Sequence, residues 1–350
     1  MALKGKIALA FRQQAASCQR LGSPFTADLC RRLAGALDEG TALGRAVMAW
    51  PLDPAASALA LRLCGALNRI VRAGRAPELA RLYPPVADTG PALDAALRGV
   101  AAEHGGELVG LLESAPQTNE VARSGLLLGG LLTIAAETGL ALALNEIGAS
   151  AGLNLHPDCY RYDLGQGRRW GPEDAPLTIP CDWRGAAPPL DAPLEIASRA
   201  GADLDPIDPA DATARERLLA YIWPDQTARL ERTAAALTHA AAHQVALARA
   251  DAADWAEARL AEPPREGVAR VLMHSIAWQY FARATQDRIA AALADAGRRA
   301  TPDAPLAWLR FEPDGIRGSA AILLTLWPGG ETRALGRGDY HGRYAEWSNP

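Results

Sequence analysis

The sequence predicts an α/β fold: a mostly parallel sheet that ends in an antiparallel hairpin and follows an all-helical region. Three observations predict it. Residues 1–114 carry helical periodicity with no alternating strand pattern. Beyond about residue 141, short apolar runs alternate with helical stretches, as in a parallel sheet covered on both faces. Between these halves, Ala141–Leu155 reads as a buried strand that breaks into small residues, Gly148, Ser150 and Gly152, at spacing two.

The first half, 1–114, is expected to be a helical cap domain. Ser23-Pro24 gives an N-cap and a proline at the first helical position, opening a helix over Phe25–Leu37. Asp53-Pro54 repeats that signal for a helix through Arg72, with Leu59, Leu63, Leu67 and Ile70 on one face and Gly74 as its stop. Pro91–His104 and Glu107–Leu112 add shorter helices. The cap either stabilises the chain or grips a substrate.

The second half, 115–350, is expected to be the α/β domain. Thr118 in Gln117-Thr118-Asn119-Glu120 is a candidate N-cap for an apolar helix over Val121–Glu137; the same cluster could aim amide and carboxylate groups at a ligand. Leu142, Leu144 and Ile147 fit a buried parallel strand. Leu153–Leu155 is then expected to start a helix whose N-terminus favours an electron-rich ligand group. Tyr160–Arg169 and Pro176–Trp183, about Gly165-Gln166-Gly167, read as an inserted hairpin at about 160–185. Strands follow at Leu194–Leu204, Val245–Arg249, Val268–Ser275 and Leu306–Glu312, with helices at Thr213–Trp223, Gln226–His243 and Gln279–Ala296. Ala320–Trp327 and Thr332–Gly336 close the chain as a hairpin about Gly329-Gly330.

Composition narrows the function. Lys plus Arg is 36 and Asp plus Glu is 40, a net charge of −4, which gives no electrostatic case for nucleic acid or an anionic membrane. Lys4 and Lys6 are the only lysines. The five cysteines, Cys18, Cys30, Cys64, Cys159 and Cys181, contain no C-x-x-C pair, so reduced buried thiols and no metal site are expected. Ile7–Phe11 is too short for a secretory signal and Gly125–Ala136 too short for a membrane span. A soluble cytoplasmic protein acting on a small molecule is the expectation, with its oligomeric state left open.

In an open parallel sheet, ligands sit beyond the carboxyl ends of the strands. The residues there are Gly148–Gly152, then Asp203 and Asp205, then Asp251 and Asp254, then His274 and Ser275, then Glu312. An acid after the second strand can accept from ribose hydroxyls, and one after the third from an exocyclic amine.

These residues carry a resemblance. Glu146-Ile147-Gly148-Ala149-Ser150-Ala151-Gly152 resembles the first motif of class I S-adenosylmethionine-dependent methyltransferases, with Ser150 in place of the middle glycine. Gly201-Ala202-Asp203-Leu204-Asp205-Pro206 resembles their ribose-binding segment, Asp251-Ala252 their adenine-binding segment, and the closing hairpin their reversed last strand. With the Gln117–Glu120 cluster, the layout is also similar to an uncharacterised bacterial family of unknown function. The resemblance spans about residues 115–345. It implies a Rossmann-like sheet and S-adenosylmethionine as cofactor, held by Glu146, Gly148, Ser150, Gly152, Asn154, Asp203, Asp205, Asp251, Asn119 and Glu120. His274 would be the base for methyl transfer, or else a histidine satisfied in the sheet rim. Trp278, Tyr280, Tyr340 and His341 would line an acceptor pocket, or belong to the core.

Two rival readings remain at this stage. Gly148-Ala149-Ser150-Ala151-Gly152 also fits the G-x-S-x-G nucleophile elbow of α/β-hydrolases, with Ser150 as nucleophile, Asp251 or Glu312 as acid and His341 as base. A sheet that binds a nucleoside without catalysis would keep Gly148, Gly152 and Asp203.

Overall fold

The computed structural model describes residues 5–86 and 90–348. Seven helices come first: α1 (Gly5–Arg20), α2 (Pro24–Ala36), α3 (Ala42–Met48), α4 (Leu59–Arg72), α5 (Pro77–Ala80), α6 (Gly90–Glu103) and α7 (Gly105–Leu111). Then come α8 (Ser124–Thr138) and β1 (Ala141–Ile147), followed by the short strands β2 (Arg161–Asp163), β3 (Arg169–Trp170), β4 (Thr178–Pro180) and β5 (Asp182–Gly185). β6 (Ile196–Asp203), α9 (Ala212–Ala220), α10 (Thr227–Ala242), β7 (Ala246–Arg249), α11 (Ala252–Ala261) and β8 (Val268–Ser275) continue the chain. It closes with α12 (Arg283–Gly297), β9 (Leu306–Glu312), β10 (Ala320–Trp327), β11 (Glu331–Gly338) and β12 (Tyr344–Trp347).

The chain divides into two compact units, Met1–Thr118 with Ala212–Glu231, and Asn119–Asp211 with Arg232–Pro350. The helical unit thus also takes α9 and the start of α10, a stretch that strand–helix alternation alone assigns to the α/β half. Asn68 shows how: its side-chain amide donates to the carbonyls of Ala220 (2.9 Å) and Ile222 (3.2 Å). The core of this unit joins Phe11, Leu29, Leu33, Leu63, Leu67, Leu93 and Leu97, all buried. Ser23 caps α2 as expected, accepting from Thr26 N. α4 starts at Leu59 and not after Asp53, because Ala58 adopts a left-handed φ of 54° that breaks the turn Asp53 caps.

In the second unit, nine strands form one α/β sheet in the order β5-β12-β11-β10-β9-β8-β1-β6-β7. β7, β6, β1, β8 and β9 run parallel; β10, β11 and β12 alternate antiparallel, and β5 lies parallel to β12. From β1 the chain steps one way to β6 and β7, then returns across β1 to β8 and β9. The order therefore reverses between β1 and β8, where an open sheet offers a crevice at its carboxyl edge.

One face is covered by α11 and α12, with Ile147, Leu272, Ile289 and Leu293 buried between them and the sheet. The other carries α8 over β9 and β10. A Cβ on Gly130 would collide with Leu309, so the bare backbone is what lets α8 lie so close. Val121–Thr138 is long and apolar enough to cross a membrane by length and composition alone, but it is 78% buried within the fold, as a core helix is.

The inserted segment differs from a single hairpin. β2 pairs antiparallel with β3 about the Gly165 turn, β4 pairs parallel with β2, and β5 leaves to join the edge of the large sheet.

Candidate functional site

β1 delivers its last residues into a turn with three left-handed positions, Gly148 (φ 68°), Ser150 (φ 52°) and Gly152 (φ 69°). For Ser150 this conformation costs about 1–2 kcal/mol, and neighbouring groups hold it in place. Ser150 N–H donates to Asp203 Oδ2 (2.9 Å), and Ile207 N–H donates to the Ser150 carbonyl (3.1 Å). Ala149 N–H reaches the Ala202 carbonyl, and Gly152 N–H the Ala149 carbonyl. Asn119 Oδ1 accepts from both Ala151 N–H (3.2 Å) and Leu153 N–H (2.9 Å).

The consequence is chemical: every N–H from residue 149 to 153 is already engaged. The helix expected at Leu153 is only a 3-10 turn, Leu153–Leu155, followed by a second over Pro157–Cys159. The turn therefore presents no helix N-terminus to an anion, contrary to the sequence expectation. The close approach that Gly148 permits is used by Ala277, whose Cβ lies 2.7 Å from where a Gly148 Cβ would be.

Acidic side chains stand beside the turn. Glu146, at the end of β1, is 1% exposed, and its Oε2 has no hydrogen-bond partner. Burial pushes its carboxyl up to about 8, opposed by a hydrogen bond from Asn154 and by the nearby Arg123 charge, while Asp203 adds to the rise. Asn154 in turn accepts from Ser124 Oγ (2.9 Å). Asp203, half-buried at the end of β6, holds the turn through Oδ2 and accepts from Asp205 N–H (3.0 Å) through Oδ1. Asp205 pairs with Arg249 at 2.7 Å. Glu120, not Thr118, is the N-cap of a 3-10 turn over Val121–Arg123 that leads into α8, accepting from Ala122 N–H. Asp251 sits at the end of β7 as expected, but its side chain N-caps α11, accepting from Ala253 and Asp254.

His274 is placed differently from a base. Its ring is fully buried between β8 and β9, with Trp278 stacked on it at 5.0 Å and 14°. Trp308 Nε1–H, which can only donate, lies 3.1 Å from His274 Nε2, so that nitrogen is the acceptor. The proton is then on Nδ1 and is donated to Glu312 Oε1 at 2.7 Å. With both nitrogens committed, His274 has no lone pair for a substrate proton, and the rim-histidine alternative describes it. The same Glu312 oxygen also accepts from Ala277 N–H (2.9 Å) and Trp278 N–H (3.1 Å), so the group secures the loop that packs on Gly148. Tyr280 is 78% exposed.

The hydrolase constellation is not assembled. Ser150 Oγ is buried with no hydrogen-bond partner, so no imidazole meets it, while Glu312 and Asp251 are bound elsewhere. Among the described residues, cavities lie at both edges of the strands. One of about 260 Å³ lies beside the turn, lined by Ala151, Ile207, Val245 and Leu247. A larger one, about 460 Å³, lies toward the amino ends of the strands, away from the turn. Two of its arginines are spent on the carboxyl end of α11: Arg270 donates to the carbonyls of Arg259, Glu262 and Pro263, and Arg299 to Leu260.

Residues 8–347 match the family model described as an uncharacterized protein conserved in bacteria, DUF2332. The chain belongs to the DUF2332 family. No curated protein and no solved structure matches it. The turn, its acids and the Glu312–His274–Trp308 group all lie inside the DUF2332 match. Sequence reasoning missed Arg123, Ser124 and Trp308, whose roles depend on partners far along the chain. The one available signal was the proximity of Arg123 and Ser124 to the Gln117–Glu120 cluster.

Proposed function

We propose that this protein binds S-adenosylmethionine at the turn after β1, in a Rossmann-like sheet, and transfers its methyl group to a small-molecule acceptor, as a cytoplasmic enzyme. The observation that carries the reading is the balance of polar groups at the turn. Its N–H donors from residue 149 to 153 are spent, whereas the carboxyl groups of Glu146, Asp203 and Asp205 gather around it. Such a site disfavours phosphates, which need free donors. It suits a ligand with an ammonium, a sulfonium and ribose hydroxyls. The reversal of strand order at β1 and β8 supports the same location. Two features depart from the methyltransferase pattern: a 3-10 turn stands where a helix would follow, and the antiparallel strands run in simple chain order.

A sulfonium is already a strong electrophile, so the protein's part is to position the acceptor and exclude water. Asp203 would orient the ribose and Glu146 would face the positive charge. Because His274 is committed to Glu312 and Trp308, the reading favours an acceptor that is nucleophilic at neutral pH without that base. Tight binding without turnover would mark a non-catalytic module.

Calorimetry with S-adenosylmethionine and S-adenosylhomocysteine tests this. Saturable heat is expected for the wild type. Asp203→Ala should weaken binding by about 5- to 150-fold, corresponding to ~1–3 kcal/mol for unpairing a charged acceptor. No heat with either ligand on folded protein would overturn the reading. Fluorophosphonate labelling that disappears in Ser150→Ala would replace it with the hydrolase.

A further inference from the structure

We propose that His156, Cys159 and His239 form a binding site for a zinc-like divalent transition-metal ion, with the fourth coordination position open to water or a ligand. It uses none of the side chains assigned above to the cofactor and does not depend on that assignment.

One ligand atom from each of the three residues lies within 4.8 Å of the other two. His156 caps the start of the 3-10 turn Pro157–Cys159 and Cys159 is its last residue, and α10 brings His239 to them, its ring edge-to-face with that of His156 at 5.0 Å. His156 is 1% exposed and its Nε2 has no hydrogen-bond partner; His239 Nε2 is likewise buried and unpartnered. Two orphaned imidazole nitrogens beside one thiol are hard to account for as packing, because buried polar atoms are normally satisfied. A metal ion satisfies both at once.

The donor set selects the ion. Two imidazoles and a thiolate suit zinc or its d-block neighbours, whereas magnesium and calcium require oxygen ligands. Zinc–nitrogen and zinc–sulfur bonds put neighbouring tetrahedral ligands about 3.5 Å apart. Closing from 4.8 Å needs only small adjustments of the half-buried Cys159 and His239 against a fixed His156. Asp158, beside Cys159, is held by Arg199 at 2.7 Å, which also donates to the Leu155 carbonyl and steadies this turn. Loading forms two metal–nitrogen bonds and one metal–sulfur bond; the thiol gives up one proton to solvent and nothing is oxidised or reduced.

The competing arrangement is a surface pair. His243 is one turn beyond His239, exposed and stacked on it at 4.3 Å, and two histidines spaced in this way can chelate metal adventitiously. Cobalt titration of the chelator-treated full chain separates the two. The expected result is one ion per chain, with thiolate-to-cobalt charge-transfer absorption and intense tetrahedral d–d bands. The charge-transfer band should vanish in Cys159→Ser. Zinc affinity should fall by more than about 100-fold in His156→Ala, since loss of an outer-shell partner alone costs up to that much. His243→Ala should leave both unchanged. Cys159→Ser also covers the case in which His156→Ala does not fold. Absence of the charge-transfer band in the wild type overturns the proposal. Binding that survives Cys159→Ser and disappears in His243→Ala does so too, and identifies the surface pair.

Discussion

Glu312→Ala is expected to destabilise the protein by on the order of 4 kcal/mol, the range for breaking a buried charged group out of its hydrogen bonds. One oxygen of this carboxylate accepts from His274 Nδ1–H, Ala277 N–H and Trp278 N–H. Alanine leaves all three donors without this acceptor and removes the side chain that holds them. At roughly 2–4 °C per kcal/mol for a unit of this size, the melting temperature should drop by about 10 °C. Glu312→Gln keeps a carbonyl oxygen in place and should lose less than half as much. A thermal melt followed by circular dichroism distinguishes them. A melt for Glu312→Ala within about 2 °C of wild type would mean that the three donors find water, and the loop after β8 would then not depend on this carboxylate.

Much of the fold was legible because strands in a parallel sheet are short apolar runs between helices. β6, β8, β9 and β10 lie where their hydrophobic runs put them. The misreadings share a cause: each turned on a contact distant in sequence. The start of α4 depends on the backbone of Ala58, which has no compositional mark. β4 and β5 look like hairpin strands, yet β5 is completed only by β12, from the far end of the chain. The segment after β6 has ordinary helical periodicity, and only Asn68 binding the carbonyls of Ala220 and Ile222 ties it to the helical unit.

At the candidate site, positions were readable and roles were not. Gly148, Gly152 and Asp203 stand where strand ends predict. The expected helix start offers no free N–H group because Asn119, readable as part of a helix start or as a ligand group, instead accepts from Ala151 and Leu153. His274 looked like a base from its place at a strand end. What commits it are Trp308 and Glu312, 34 and 38 residues later, on the adjacent strand. His156, Cys159 and His239 gave no motif because the third member lies on α10, far from the first two.

Glu146→Gln should remove a pH dependence of stability. In the unfolded chain this carboxyl ionises near 4.5, whereas burial holds it protonated in the native state up to about 8. Below pH 4.5 both states carry the proton and the group contributes no penalty. Between 4.5 and 8 the unfolded chain has released a proton that the native state retains, so stability falls as pH rises. At about 1.4 kcal/mol per pH unit, the loss amounts to on the order of 4 kcal/mol by pH 8. Glutamine has the same shape and does not titrate. The variant should match or fall slightly below wild type at pH 4.5 and exceed it by several kcal/mol at pH 8, measured by denaturant unfolding across that range. A difference that stays flat with pH would mean that Glu146 is already ionised at neutral pH, with Arg123 outweighing burial. The same proton ties stability to ligand. A cationic sulfonium or ammonium brought to Glu146 favours the carboxylate, so binding at pH 7 should expel a proton. Calorimetry of S-adenosylhomocysteine binding in buffers of different ionisation enthalpy reads that proton directly, and Glu146→Gln should abolish it.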